Sequence, residues 1–281
     1  MSEQARAWLG LEPSHNPFRW LLPITPGICT GHRFLFGGCG LGAAIAALEA
    51  TTERPTVWAT AQYLSYAPAG EVLDLDVVVA VEGRKTSQAR VTGHVGGTEN
   101  LTVNAALGGR DYPTETRFPE GPRVLAPEAS PVREPYSEAE SLSNRLDQRW
   151  AVPEGSEVGE GSTRFGPGRT AVWTRMPDLH DGSAAGLAVL GDFVPMGISV
   201  ALDESTMSNS LDNTLRVFET VPSEWYLLDI NIEGVARGFG HGFVHIWSED
   251  GVLVAIGSQS AMVRQRPGDD WPPSGRSAGP G

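Results

Sequence analysis

The sequence contains very little cysteine. Cys29 and Cys39 are the only two among 281 residues, which is too few for a disulfide framework, and their spacing matches no metal-binding motif. A chain with so little cysteine is typical of a reducing, intracellular compartment. We therefore expect a cytoplasmic protein with no metal site.

Basic residues are also scarce. Lysine and arginine together number 21, against 34 aspartates and glutamates, which gives a formal net charge of −13. Nucleic-acid binding requires a basic patch that neutralises phosphates, and none is visible, so the sequence argues against a nucleic-acid partner. It does not exclude a phosphorylated small molecule, because a few arginines and a helix N-terminus can bind one.

Signal and membrane-spanning segments are not apparent either. The first residues, MSEQARAWLGLEP, contain no basic segment followed by an apolar one, which a secretory signal would have. We see no apolar run that approaches the roughly 20 residues of a transmembrane helix. We therefore expect no membrane span.

The chain contains the same order of predicted elements twice, a helix followed by four strands. Residues 37–49 are rich in glycine and alanine and predict a helix buried on most sides, and a second helix is predicted over 183–194. Strand-like runs follow the first helix at 57–67, 72–81, 86–95 and 101–107 and the second at 210–218, 225–232, 238–247 and 252–263, and others precede the helices at 19–22, 146–152 and 171–175. This repetition predicts an α+β architecture in which two helix-on-sheet units join their sheets.

The distribution of proline and glycine predicts where these units begin and end. Residues 109–145 have many prolines and little periodicity, as is typical of a connector. We therefore divide the chain into an N-terminal unit (1–108), this connector (109–145) and a C-terminal unit (146–265). Residues 266–281, RPGDDWPPSGRSAGPG, are expected to form a disordered tail.

Three polar residues are candidates for chemistry, and each has a structural alternative. Gln259 lies in a strand among apolar residues, where its amide either supports the fold or faces a ligand. Asp192 follows a run of leucine and valine; it is either functional or simply solvated at a helix end that Pro195 terminates. Ser210 closes a Ser-Asn-Ser run that is consistent with an ordinary turn.

Other catalytic patterns are weak or missing from the sequence. His241 and His245 would share a strand face about 13 Å apart, too far for one metal ion. No G-x-S-x-G sequence occurs, which argues against a nucleophile-elbow serine hydrolase. Cys39 has no basic neighbour to activate it. The glycines of residues 37–42 lack the lysine of a phosphate loop, and we expect them to let a helix pack closely on the sheet.

Several short motifs together resemble those of the type II (TesB-like) acyl-CoA thioesterases. They are Phe36-Gly37-Gly38, Gly191-Asp192-Phe193, Ser210-Leu211-Asp212, Ala236-Arg237-Gly238-Phe239 and Ser258-Gln259. Their order and spacing extend over roughly residues 20–110 and 145–265. The resemblance implies a double hotdog fold, in which two helix-on-antiparallel-sheet repeats share a continuous sheet.

The resemblance also implies an activity and its residues. In that family an aspartate, a threonine or serine and a glutamine orient the water that attacks the thioester, and the matching positions are Asp192, Ser210 and Gln259. We expect hydrolysis of an acyl-CoA substrate to a carboxylic acid and coenzyme A, with no cofactor. The residues expected to bind substrate are Gly37 and Gly38 at the first helix, Val189, Leu190 and Phe193 along an acyl tunnel, and Arg237 at the coenzyme A phosphates.

The chain departs from the family pattern at several positions, which leaves alternatives open. Cys39 stands where a glutamine is usual, Asp212-Asn213 stands where Asp-His is usual, and basic positions that contact coenzyme A in the family are missing. The alternative to the enzyme is a non-catalytic acyl-CoA or lipid-binding protein of the same fold. A hotdog hydratase would need an aspartate and a histidine close together on one segment, and we find no convincing pair. Assembly into a homo-oligomer also stays open.

Overall fold

The computed structural model describes residues 2–135, 139–156, 165–203 and 206–265. In these ranges the α-helices are α1 (Glu3–Leu9), α2 (Gly37–Thr52), α3 (Ala184–Leu190) and α4 (Val194–Leu202). The strands are β1 (Glu12–Pro13), β2 (Arg19–Pro23), β3 (Thr56–Tyr63), β4 (Val72–Glu82), β5 (Thr86–Val95), β6 (Thr98–Gly108), β7 (Asp147–Trp150), β8 (Arg169–Arg175), β9 (Thr206–Ser210), β10 (Asp212–Val217), β11 (Tyr226–Ala236), β12 (Phe239–Ser248) and β13 (Leu253–Gln265). Short 3-10 helices lie at Pro26–Ile28, Pro127–Ala129 and Leu142–Arg145. The tail predicted over 266–281 lies outside the described residues.

These strands form one antiparallel sheet. Their order is β1-β2-β4-β5-β6-β3-β10-β13-β12-β11-β8-β7. Strand β13 pairs with β10 through residues 255–258 and with β9 through residues 261–265. The two halves of the sheet meet where β3 pairs with β10, with Ala61 opposite Asn213 and Ala59 opposite Leu215. We call this β3–β10 pair the seam. The continuous sheet that the sequence predicts is therefore present, and the two repeats are joined by backbone hydrogen bonds.

Helix α2 covers the inner face of the first half of the sheet. Every residue from Gly38 to Glu49 is buried, as the alanine-rich and glycine-rich composition predicts. Gly40 faces the sheet, since a Cβ at this position would lie 3.1 Å from the side chain of Leu101 in β6. The expectation of close packing on the sheet is correct for this glycine.

Other glycines of α2 contact a helix instead. A Cβ at Gly42 would lie 2.7 Å from the carbonyl oxygen of Ala185, and one at Gly38 would lie 2.8 Å from that of Ala188. Residues four apart share one helix face, so this face of α2 packs directly on the backbone of α3. For these two glycines the predicted contact with the sheet is wrong, and it is the close approach of two helices that requires them.

The second predicted helix, 183–194, is wrong in its extent. Helix α3 ends at Leu190 and α4 begins at Val194, so residues 191–193 form a break between them. Pro195 lies in the first turn of α4, where a missing N–H is tolerated; it therefore begins a helix and does not terminate one. Asp192, in the break, is only 4% exposed, which rules out the solvated helix end.

The segment 184–202, which contains both of these helices, is by length and composition apolar enough to cross a membrane. The expectation that no run of this length occurs is therefore wrong. In the structure 67% of its apolar window is buried inside the fold, and the buried carboxyl group of Asp192 lies near its middle. Both features are those of a helix pair in a protein core.

A smaller cluster lies on the other face of the second half of the sheet. Trp173, Trp225 and Trp247 are buried there together. The indole Nε1 of Trp173 donates to the carbonyl oxygen of Leu125 at 3.0 Å, and a Cβ at Gly121 would lie 3.3 Å from the ring of Trp247. Residues of the predicted connector thus cover this face, while the boundaries of the two units and the connector stay predictions.

Replacing Gly42 with alanine tests the contact between α2 and α3. The added Cβ meets a backbone oxygen at 2.7 Å, which no change of rotamer can move, so an overpacking cost of about 1–3 kcal/mol is expected. This exceeds the gain of about 0.5–1 kcal/mol in helix propensity. We expect urea unfolding to show a less stable protein. Gly97→Ala is the control because nothing lies within 4 Å of its Cβ position; an unchanged or higher unfolding free energy for Gly42→Ala would contradict the contact.

Candidate active site

Three candidate side chains converge from three separate elements. Asp192 comes from the break between α3 and α4, Ser210 from the end of β9, and Gln259 from the middle of β13. In the pairing of β9 with β13, Ser210 lies opposite Ala261. Gln259 is two residues from Ala261 and therefore points to the same face of the sheet, where both are buried. The sheet register and the helix break together bring these residues into contact.

A short hydrogen-bond network joins them. The Gln259 Nε2 donates to the Ser210 Oγ at 2.6 Å and also to the Asp192 Oδ1. The Ser210 hydroxyl donates to the same Oδ1 at 3.5 Å, the outer limit for such a bond. The second carboxylate oxygen, Oδ2, accepts the backbone N–H of Gly38 at 2.6 Å. Both oxygens of the carboxylate are thus fixed in position.

Burial dominates the electrostatics of Asp192. It raises the pKa of this carboxyl group to about 7, although the hydrogen bonds from Gln259, Gly38 and Ser210 act in the opposite direction. Within the described residues no basic side chain forms an ion pair with it. A carboxyl group that titrates near neutrality can accept a proton and release it again at physiological pH.

The glycines that open α2 leave space for this carboxylate. A Cβ at Gly37 would lie 2.8 Å from the Asp192 Oδ2 and 2.8 Å from Cζ of Tyr63, and a Cβ at Gly38 would lie 2.9 Å from the Asp192 Cβ. Any larger residue would displace the carboxylate or the ring. Gly37 and Gly38, predicted as substrate-binding residues, are thus in direct contact with the trio.

The remaining predicted substrate residues are distributed differently. Val189 and Leu190 are completely buried in the main core, and Phe193 packs against Phe36 with ring centroids 5.8 Å apart. Arg237 is exposed at the tip of the β11–β12 hairpin, with φ of 55°. The neighbouring Gly238 bonds to Val263 of β13, four residues and therefore about 13 Å along the strand from Gln259, so Arg237 does not join the trio.

Two residues at this site, Tyr63 and Asn213, were not predicted. Asn213 is fully buried, and neither atom of its amide has a hydrogen-bond partner in the described part of the chain. The buried hydroxyl of Tyr63 also lacks a partner at full hydrogen-bond geometry, although Asn213 lies close enough for a side-chain hydrogen bond that lowers its pKa. A buried polar group without a partner costs about 1–3 kcal/mol. The signals in the sequence are a polar residue at an inward strand position and, for Asn213, its place in the Asp212-Asn213 pair where Asp-His is usual in the family.

Other chemistry is less well supported. Burial, with the charge of Asp192 adding to it, raises the pKa of the Cys39 thiol well above its usual value, which disfavours a nucleophilic thiolate. No cluster of three or more His, Cys, Asp or Glu side chains suited to a metal ion occurs in the described ranges. Surface concavities of about 510 and 220 Å³ lie beside Arg175 and beside Gly197, and neither is lined by a residue of the trio.

Comparison with known proteins identifies the family. Models of the acyl-CoA thioesterase N-terminal domain and of the acyl-CoA thioesterase C-terminal domain match residues 24–108 and 120–263. The chain belongs to the acyl-CoA thioesterase family. The resemblance drawn from the short motifs is confirmed, and this thioesterase is accordingly a thioester hydrolase.

Solved structures agree with this assignment. One from Novosphingobium aromaticivorans, provisionally described as a thioesterase, is 32% identical; the match covers 90% of this chain and 98% of that one, with a TM-score of 0.81. The acyl-CoA thioesterase II TesB2 of Mycobacterium marinum is 18% identical (94% and 99% covered, TM-score 0.72). A hot dog protein of unknown function from Alicyclobacillus acidocaldarius is 17% identical (95% and 100% covered, TM-score 0.79). The last two show the fold alone, and the predicted hotdog fold is confirmed. No curated protein matches this thioesterase significantly.

The raised pKa of Asp192 predicts how the stability of this thioesterase depends on pH. In the unfolded chain an aspartate titrates near 3.8, whereas burial moves the folded value to about 7. Between these values the folded state keeps a proton that the unfolded state has released, so the unfolding free energy falls as pH rises through this window. Asp192→Asn removes the titration. We expect the unfolding free energy of the variant minus that of the native protein, both measured in urea, to increase from about pH 4 to about pH 7.

The difference between native protein and variant is the quantity to follow, because it cancels all other titrating groups. Asp250→Asn is the matched control, since it removes an exposed carboxylate from the turn of the β12–β13 hairpin. A difference between Asp192→Asn and the native protein that stays the same at every pH would contradict the buried-carboxyl interpretation.

Proposed function

We propose that this thioesterase hydrolyses acyl-CoA thioesters by direct attack of a water molecule held by Asp192, Ser210 and Gln259. The observation that supports this most strongly is the buried carboxylate of Asp192, fixed by hydrogen bonds at both oxygens and with a pKa of about 7. Such a group acts as a general base at neutral pH without a metal ion or a covalent intermediate.

Gln259 supplies a further contact for this water. Its Nε2 is already used by Asp192 and Ser210, while its Oε1 is buried and has no partner among the described residues. A water molecule can donate one hydrogen to this oxygen and the other to Asp192, which leaves a lone pair for attack. The Ser210 hydroxyl keeps the amide in this orientation and offers the third contact.

The proposed reaction conserves all atoms and charges. Asp192 takes a proton from the water as its oxygen bonds to the thioester carbonyl carbon, giving a tetrahedral intermediate. The carbon–sulfur bond then breaks, and the coenzyme A thiolate receives the proton that Asp192 carries. The products are a free carboxylic acid and coenzyme A, and the carboxylate is ready for the next cycle.

The substrate-binding residues of this proposal are those expected from the sequence. We assign Val189, Leu190 and Phe193 to the walls along which the acyl chain lies, because they flank Asp192 in the chain and belong to the apolar core. Arg237 is exposed near Val263, toward the C-terminal end of β13. We assign it to the coenzyme A phosphates, because an exposed cation can bind them at the surface. In this proposal the enzyme acts in the cytoplasm as a part of lipid metabolism, and a homo-oligomer stays open.

A thiol-release assay over straight-chain acyl-CoA esters of increasing length tests the proposed activity. We expect the native protein to release coenzyme A, and we expect Asp192→Asn and Gln259→Ala to lower kcat by about 10²-fold or more, the usual contribution of general-base catalysis. Asp250→Asn, which changes an exposed turn, should match the native rate. Native rates in both site variants would refute the trio, and binding of acyl-CoA without release would favour the non-catalytic alternative.

The pH dependence of the rate gives an independent check. Asp192 must be ionised to accept a proton, and its pKa is about 7. We therefore expect kcat to rise tenfold per pH unit below about 7 and to level off above it. The residual rate of Asp192→Asn should lack this inflection. A native rate that is constant from about pH 5 to pH 8 would show that Asp192 is not the base.

A further inference from the structure

Tyr63 and Asn213 form a second polar group at the site that the water-holding trio does not use. The hydroxyl of Tyr63 and both amide atoms of Asn213 are buried without hydrogen-bond partners in the described residues. Buried polar side chains are nearly always paired. Two neighbouring polar side chains that satisfy each other incompletely, beside the buried carboxylate of Asp192, indicate a place where a polar part of the substrate binds.

The contacts around Gly37 set an upper limit on the distance between Tyr63 and Asp192. The Tyr63 Oη lies 2.9 Å, and the Asp192 Oδ2 lies 2.8 Å, from the same point, the position that a Cβ of Gly37 would take. The two oxygens are therefore no further apart than the sum of these distances, 5.7 Å. A thioester carbonyl group fits in a gap of this size, with its oxygen near the Tyr63 hydroxyl and the attacking water near Asp192.

The seam places Asn213 next to Tyr63. Asn213 lies opposite Ala61 across the seam, and Tyr63, two residues from Ala61, shares its face of the sheet. The N–H of Tyr63 donates to the carbonyl oxygen of Leu211 at 2.9 Å, which holds the two strands together at this point. One member of the pair thus comes from each repeat.

The hydroxyl of Tyr63 is a donor at physiological pH. Burial raises the pKa of Tyr63 well above its usual value, the charge of Asp192 raises it further, and hydrogen bonding to Asn213 acts in the opposite direction. The phenol therefore keeps its proton. Asn213 offers two further N–H donors at its Nδ2.

The first turn of α2 cannot supply a full set of donors by itself. The N–H of Gly38 is used by Asp192, and the N–H groups of Cys39 and Gly40 both bond to the carbonyl oxygen of Phe36. Of these first-turn groups, only the N–H of Gly37 has no partner in the part of the chain that the structure describes. The negative charge on a tetrahedral intermediate is usually shared by several donors.

We infer that the Tyr63 hydroxyl and the Asn213 side-chain amide bind the carbonyl oxygen of the thioester and stabilise the oxyanion that forms when water attacks. This inference rests on the proposed hydrolysis of acyl-CoA and names the residues that activate the thioester carbonyl in it. As the carbonyl π electrons move onto oxygen, Tyr63 and Asn213 donate hydrogen bonds to it without transferring a proton. When the carbon–sulfur bond breaks, the electrons return and the donors are unchanged.

Kinetics of Tyr63→Phe and Asn213→Leu test the assignment. Each removes donors while keeping a similar shape, and loss of one oxyanion donor typically lowers kcat by about 10² to 10³-fold. We expect such a fall with KM changed by less than about threefold, since the donors act mainly on the transition state. Tyr112→Phe and Asn104→Leu are the controls, because both residues are exposed and their variants should keep the native rate. A kcat within about threefold of native in both site variants would overturn the inference.

A second measurement separates this inference from the proposed function. The probe is an acyl-CoA analogue in which a methylene group replaces sulfur and the carbonyl carbon is ¹³C; it cannot be hydrolysed. Hydrogen bonds to the carbonyl oxygen move its resonance downfield, so we expect a downfield shift on binding to the native protein and a smaller one with Tyr63→Phe or Asn213→Leu. An analogue that fails to bind, binds with no shift, or shifts equally in all three proteins would overturn the inference.

The two hypotheses fail in different ways. If the native protein hydrolyses no acyl-CoA ester but shows the Tyr63-dependent shift, the proposed function is wrong and the carbonyl site stands. If hydrolysis depends on Asp192 but neither site variant alters kcat or the shift, the proposed function stands and the carbonyl site is wrong. The analogue therefore tests Tyr63 and Asn213 without any need for turnover.

Discussion

The hydrogen bond from the backbone N–H of Gly38 to Asp192 requires α2 and α3 to pack so closely that no side chain larger than the hydrogen of glycine fits at position 38. A Cβ at Gly38 would be 2.8 Å from the carbonyl oxygen of Ala188 and 2.9 Å from the Asp192 side chain. Gly42 repeats the same approach one turn further along α2. This approach of two helix backbones fixes one oxygen of the carboxylate, while the other accepts a hydrogen bond from Gln259 in the sheet.

A carboxylate placed in this way lowers the stability of the fold at neutral pH. Removal from water raises the pKa of Asp192 to about 7, and the hydrogen bonds from Gln259, Gly38 and Ser210 limit the rise. Without these bonds the group would stay protonated at neutral pH and could not accept a proton. With a cationic partner it would be a weaker base. In the proposed mechanism, burial together with neutral hydrogen-bond donors gives Asp192 a pKa suited to a base at neutral pH. The hydrophobic core around it offsets the loss of stability.

Much of the fold could be predicted from the sequence, because it depends on local patterns. The small-residue composition of 37–49 predicts a buried helix, and the strand-like runs match the observed strands closely. The break at Asp192 was missed, because an apolar run gives no sign of where a helix stops and Pro195 is compatible with either a beginning or an end. Tyr63 and Asn213 were missed for a different reason. Tyr63 gives no signal in its own strand, and Asn213 stood out only as a departure from the family's Asp-His pair. Only the pairing of β3 with β10, which links residues about 150 positions apart, brings the two together beside Asp192.

The seam has a mechanical consequence for this thioesterase. Gly38 and Tyr63 belong to the first repeat, and Asp192, Asn213 and Gln259 belong to the second, so the site exists only while β3 and β10 stay paired. The repeats are also joined by the contact between α2 and α3 and by one hydrophobic core that contains residues of both. A force that separates the repeats must therefore break the seam, the helix contact and this core together, and the candidate site is lost with them.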